Sequence, residues 1–286
     1  MTGAREVTVA CCQLAPVFGD VEANRALLAE AVAAAASDGA GVVVLPELAN
    51  TGYMFESLDE ARSVAEPVDG PTVREWRALA NAHGVLIAGG LAENAGTGTL
   101  HNSAVLVDGS GVLARYRKAH LWDREPEWFE PGSEPPPVVD TEVGRVGLLV
   151  CYDLEFPEWT RTIGLSSADL VCVPVNWPLL PRPDGERPIE MTNAQAAAYT
   201  NGMFVAVCDR AGRERGCDWV GGSVVIGPDG YPLTPLALGT PATVAAHVDL
   251  SAAESKAVGE RNDLHADRRP HLYRRVVQTQ PTGRIY

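Results

Sequence analysis

Six short runs of almost wholly apolar residues, at positions 42–45, 85–88, 103–107, 146–150, 170–174 and 204–208, recur along the chain between longer segments of helical spacing. Four or five such residues are too few for a helix. Without polar alternation they read as strands buried on both faces, so layers of helix must cover them. The helical segments run from Asp20 to about residue 37, from 71 to 83 with Pro71 at a favoured first-turn position, from 158 to 166, and through the Ala-rich 186–199. Further strands are predicted at 7–10, 223–226 and 244–248, and 112–116 reads as a hairpin partner after the Asp108-Gly109 turn. Some strands are joined by helices and others by tight turns, which predicts mixed sheets. No repeat, low-complexity tract or long linker divides residues 1–286, so a single layered α/β domain is expected.

Composition narrows the function. With 46% hydrophobic and 21% charged residues, the chain suits a soluble protein with a full core. The net charge of −14 argues against a nucleic-acid partner, because phosphate binding rests on clustered Lys and Arg. No apolar stretch is long enough to span a membrane and no signal peptide is evident. Six cysteines without a CxxC pair point to a reducing, cytoplasmic setting. Charge is unevenly spread. Residues 259–286 hold six Arg against Glu260, Asp263 and Asp267, a net of +3 that leaves −17 on the rest. Such an arm either docks, on its own subunit or a partner's, or frays as a solvated end.

Three segments place reactive side chains directly after predicted strands: LPEL with Glu47, YRKAH with Lys118, and VCYD with Cys151. Singly, each has an ordinary reading: a solvated carboxylate, a surface cation, a small core residue. The six histidines show no HExxH or paired metal spacing. His120 either lines a site or makes a structural hydrogen bond. Gly221-Gly222-Ser223 lacks GxSxG, and no phosphate-binding glycine loop is present.

In order, LPELANTGY, YRKAHL and GLLVCYDLEFPE resemble the nitrilase (carbon–nitrogen hydrolase) superfamily. The ACCQLAPVFGDVEANRALL opening, PVNWP, AAAYTNGMFV, GGSVVIGPDG and NDLHADRRPHLY extend that resemblance over nearly the whole chain. It implies a four-layer α-β-β-α sandwich, dimerising or assembling further through the helix with Trp159 and the helix around 193–199. It implies Glu47 as general base, Lys118 as the conserved lysine, Cys151 as nucleophile and Glu125 as second glutamate, with Glu127 the alternative. Tyr53, Tyr152, Glu155, Asn176 and Trp177 fall at motif positions expected to bind substrate. No cofactor is needed. A thiol near pKa ~8.5 is mostly protonated at neutral pH, so Glu47 would take its proton and return it to the leaving amine. Lys118 and a backbone N–H would hold the oxyanion.

The residues after Cys151 discriminate branches. Nitrilases proper resemble one another in Trp-Glu at this point, whereas Tyr152-Asp153 resembles the amidases. The ω-amidase pattern CYDLRFPE places an arginine where this chain has Glu155. A carboxylate there would repel anionic substrates and suit neutral or cationic ones, unless it merely pairs with Arg161. The resemblance is greatest to aliphatic amidases of the 5-aminopentanamidase and stereoselective kind. The expected activity is conversion of a small neutral or amino-bearing amide to acid and ammonia through a thioester. The alternatives are an N-carbamoyl-amine hydrolase resembling N-carbamoylputrescine amidase, and a non-catalytic binding protein on the same fold.

Overall fold

A computed structural model describes residues 3–96 and 98–274. In chain order the elements are β1 (Glu6–Gln13), α1 (Val21–Ser37), β2 (Val42–Val44), α2 (Leu58–Val64), α3 (Pro71–His83), β3 (Leu86–Asn94), β4 (Leu100–Val107) and β5 (Val112–Arg117). There follow β6 (Val138–Asp140), β7 (Arg145–Leu148), α4 (Pro157–Leu165), β8 (Leu170–Pro174), α5 (Ile189–Asn201) and β9 (Phe204–Cys208). The last are β10 (Arg213–Glu214), β11 (Cys217–Asp218), β12 (Val224–Ile226) and β13 (Ala242–Asp249). One sheet has the order β13-β1-β2-β3-β4-β5 and the other β12-β9-β8-β7-β6, while β10 and β11 form a separate hairpin. Both sheets are mixed: β1, β2 and β3 are parallel, as are β7, β8 and β9, with antiparallel strands outside them.

The period of two along β1 explains the layering. Val9 and Cys11 join the core between the two sheets, whereas Ala10 and Cys12 face α1 and α3. Leu28 and Val32 of α1 and Val73 and Trp76 of α3 complete that outer layer. On the other side, Ile163 of α4 and Met191 and Ala194 of α5 cover the second sheet. The result is the four-layer α-β-β-α sandwich expected of the nitrilase type. Local chemistry sets the helix ends. The Asp20 side chain accepts from the N–H of Ala23 at 3.0 Å and starts α1. Gly84 and Gly202 stop α3 and α5 in the left-handed conformation, at φ 65° and 57°.

Where structure and pattern differ, the cause is local. α5 begins at Ile189 rather than 186, because Pro188 disfavours helix in the residue before it. β7 ends at Leu148, since the next two residues lead into a turn. α2, β6 and the β10–β11 hairpin are too short to leave a periodic signature; α2 buries only Ala61. Among the described residues no helix is long and apolar enough to cross a membrane.

Candidate active site

Glu47, Lys118 and Cys151 follow β2, β5 and β7, and the two sheets bring these strand ends together. Two of the ordinary readings fail on burial, since Glu47 is 1% exposed and Lys118 0%; Cys151, at 7%, is as buried as a core residue, and its neighbours set it apart. Glu47 gets close to β3 because residue 90 is glycine. A Cβ there would lie 2.6 Å from the Cα of Glu47 and 2.7 Å from the N of Leu48. The chain then bends through Leu48 at φ 46°, and Cys151 is likewise held at φ 47°. Both are strained for residues with a side chain, a cost usually retained where geometry serves a site.

Lys118 Nζ donates to Oε1 of Glu47 and to Oε1 of Glu125, each at 2.8 Å. A third hydrogen of the ammonium is left over. Glu125 is buried and its Oε2 accepts the N–H of Trp122 at 2.9 Å. Glu127 is exposed and pairs with Arg124 at 2.9 Å, so the glutamate in the cluster is Glu125. Glu47 Oε2 is buried and has no hydrogen-bond partner among the described residues. The Cys151 thiol points its hydrogen toward the carbonyl of Asn176 at 3.9 Å, and the Asn176 side chain donates to the Glu47 carbonyl at 2.9 Å. Burial and the charges of Glu125 and Glu47 raise the Tyr53 hydroxyl well above its ordinary pKa, and its ring stands edge-on to Trp219, with centroids 5.4 Å apart.

Two carboxylates and one ammonium leave the cluster with a net negative charge, and this governs its protons. Burial and the Glu47 charge push the Cys151 thiol well above its ordinary range, Lys118 opposing them. The resting group is therefore a neutral thiol. Burial also raises Glu47, with Lys118 pulling it back. Lys118 would be lowered by burial alone, but Glu125 and Glu47 hold it well above the usual lysine value, so it stays charged.

The other expected binding residues surround this cluster unequally. Tyr152 packs edge-on to Trp122 at 4.9 Å and lines a cleft of about 810 Å³ with His120, Leu121 and Phe156. Trp177 is buried; its backbone N–H donates to Asp209 at 3.0 Å, and its ring lies against Gly222, where a Cβ would come within 3.1 Å of it. Glu155 is exposed and stands apart from the buried cluster. Burial and the charge of Glu190 raise its pKa, and no ion pair joins it to Arg161 among the described residues. His120 takes both readings: it lines the cleft, and its Nδ1 lies 2.7 Å from Asp153 Oδ1.

Asn102 and the Arg210–Glu214 pair escaped the sequence reading, which used Asp153 only as a branch marker. Asp153 accepts from Tyr116 at 2.8 Å, joining the nucleophile turn to the strand before Lys118. Glu214 accepts the N–H groups of Tyr53 and Met54 at 2.8 and 2.7 Å and pairs with Arg210 at 2.8 Å, fixing the Tyr53 loop. No group of three or more His, Cys, Asp or Glu among the described residues is disposed to hold a metal ion.

Residues 8–257 match the carbon-nitrogen hydrolase family model. The chain belongs to this family. This carbon–nitrogen hydrolase is 34% identical over 268 residues to a nitrilase of Pyrococcus abyssi, covering 93% of this chain and 99% of that one. It is also 34% identical over 222 residues to an (R)-stereoselective amidase of Pseudomonas sp, covering 77% of each. Its fold is similar to that of a mutant of the amidase from Nesterenkonia sp. AN1, at a TM-score of 0.78 and 29% identity over 96% of this chain and 97% of that one. That structure shows the acetamide moiety of fluoroacetamide added covalently at the active-site cysteine. The nitrilase-superfamily resemblance is thus borne out, and the protein is a hydrolase of carbon–nitrogen bonds.

Proposed function

We propose that this hydrolase is a cysteine-dependent amidase that converts a small neutral or amino-bearing aliphatic amide to its acid and ammonia. The observation that carries the reading is the buried Cys151 thiol beside a buried, lysine-bridged pair of glutamates, one with an unpartnered oxygen. Cys151 Sγ attacks the amide carbon while Glu47 Oε2 takes the thiol proton. The remaining Lys118 hydrogen and the Tyr152 backbone N–H hold the oxyanion. Glu47 then protonates the nitrogen, the C–N bond breaks, and ammonia leaves a thioester on Cys151. Water attacks the thioester with its proton going to Glu47; the acid departs and the thiol regains that proton. Ammonia release measured over aliphatic, ω-amino, carboxylated and carbamoyl amides tests the reading. Carbon dioxide released with the ammonia would make it a carbamoyl-amine hydrolase, and no release from any amide would favour a binding protein. Six free cysteines suit a reducing cytoplasm.

Specificity is assigned to Glu155, with Glu190 beside it. Two unit charges at about 4 Å interact by roughly 4 kcal/mol at an effective dielectric of 20. Exposure of Glu155 leaves this largely screened, so the expected preference for a distal ammonium over a distal carboxylate is only about tenfold in kcat/KM, or ~1.4 kcal/mol. The matched pair is 5-aminopentanamide and glutaramate. Glu155→Gln should shrink the ratio without loss of activity on a neutral amide. A wild-type preference for the carboxylate, or a ratio unmoved by Gln, would leave Glu155 without a role in selection.

The same reading includes self-association. Ile189, Tyr199 and Leu165 of α4 and α5 are 65%, 47% and 42% exposed. Among the described residues Arg261, Arg268, Arg269 and Arg274 form no ion pair, and Arg268 adds to the burial that lowers the pKa of Arg161. Arg275, Arg284 and the rest of the basic arm lie outside the described residues. A second acidic copy is the partner that would neutralise this charge and cover the apolar face. Truncation after residue 258 is expected to lower the melting temperature and the sedimentation coefficient, more so at low salt. Unchanged values would mark the arm as a solvated end.

A further inference from the structure

We propose that Asn102 is a positioning residue that divides the labour of the two buried glutamates, holding Glu47 so that Oε2, and not Oε1, meets the Cys151 thiol. The inference rests on Cys151 as nucleophile and Glu47 as base. Asn102 lies in β4, paired across from Ala92 of β3, and is completely buried. Its carbonyl accepts the backbone N–H of Lys118 at 2.8 Å. Its side-chain nitrogen donates to Glu47 Oε1 at 2.7 Å and to Glu125 Oε1 at 3.0 Å. These are the same two oxygens that Lys118 bridges. Two donors and two acceptors thus form a closed ring, to which Asn102 contributes both side-chain hydrogens and a backbone anchor for the lysine.

The ring sorts the four carboxylate oxygens. Each Oε1 receives two donors and Glu125 Oε2 receives the Trp122 N–H, so Glu47 Oε2 alone is left open. Lysine by itself cannot enforce this, because an ammonium is a rotatable point charge that follows a carboxylate as it turns. The planar amide can, since its two N–H directions are fixed. The reverse amide orientation would set an oxygen against two carboxylates, so the network determines the orientation. Donation to the ionised form also keeps Glu47 able to accept a proton, in a site where burial and Glu125 oppose its charge and Lys118 and Asn102 favour it, while Cys151 and Tyr53, their own pKa values raised, face it as neutral groups.

Iodoacetamide alkylation of Cys151, followed by peptide mass spectrometry between pH 5.5 and 8.5 on the full chain, tests this without knowledge of the substrate. Removing the donors should raise the proton affinity of Glu47. The alkylation rate at pH 6 relative to pH 8 is therefore expected to fall about fivefold to tenfold in Asn102→Ala. Asn102→Asp, of the same shape but adding a third carboxyl, should lower it further, and Asn102→Ser, keeping one hydroxyl donor, should fall between Ala and wild type. On any amide that is turned over, kcat should drop about tenfold or more with KM within about twofold. A purely structural role would lower the melting temperature and leave the pH ratio unmoved; that ratio in any folded variant overturns the proposal. A wild-type Cys151 that resists alkylation at every pH overturns the nucleophile reading, and this inference with it.

Discussion

Cys151→Ala is expected to abolish ammonia release, by on the order of 10⁴-fold or more, while the protein remains folded. The change removes the attacking atom and little volume. The thiol makes one weak hydrogen bond, 3.9 Å to the Asn176 carbonyl. Alanine bears the same Cβ, so it neither relieves nor worsens the strain at φ 47°. A stability loss of about 1 kcal/mol is expected from the small cavity. Cys151→Ser should be nearly as inactive, because Glu47 must then deprotonate a much weaker acid in a buried site. Intact mass spectra of wild type quenched during turnover should show an acyl adduct that both variants lack. Appreciable ammonia release by contaminant-free Cys151→Ala would remove Cys151 from the mechanism.

The residues of this site were unequally visible in the chain. Glu47 and Cys151 each follow a short apolar run and Lys118 follows the hairpin strand 112–116, and strand ends can be read from such patterns. Their burial could not be read so. A lysine and a glutamate 71 positions apart become a buried pair only when strands of one sheet close the distance. Asn102 gave no signal, because a polar residue early in a strand looks like any other. It matters through the β3–β4 register and through the turn that carries Glu125. Gly90 could have been noticed in the Gly89-Gly90 pair, where glycine inside a strand marks a close backbone approach. Glu155 is visible only as a motif position: the short helix Cys151–Glu155 leaves it exposed, and CYDLEFPE alone does not tell whether its charge acts on a bound substrate. The sheet layers were legible because double-sided burial leaves an unbroken apolar run. The small elements that shape the site, β10 and β11 above all, are only two residues each and leave none.

Lys118→Met tests the electrostatics of the whole cluster. Methionine replaces most of the lysine stem, so the main loss is the charge. Two effects should act together. The oxyanion loses a donor, a loss on the order of a hundredfold or more in kcat. In addition, Glu47 and Glu125 lose the ammonium that separates them, and two buried carboxylates sharing one amide cannot both stay ionised. One binds a proton, and because Glu47 is already raised by burial, the base is lost along with the oxyanion donor. Stability should fall by about 3–5 kcal/mol at neutral pH, as for other buried pairs with one partner removed. The pH dependence has a definite sign. A carboxyl whose folded pKa exceeds its unfolded value binds more protons in the folded state, so stability declines as pH rises between the two values. The melting-temperature deficit against wild type should accordingly be largest near pH 8 and shrink toward pH 5. Turnover should not recover in parallel, because the proton that restores the fold is the one that disables Glu47. A folded Lys118→Met retaining more than about a tenth of wild-type kcat, or a deficit independent of pH, would mean that the lysine neither holds the oxyanion nor keeps the two glutamates ionised.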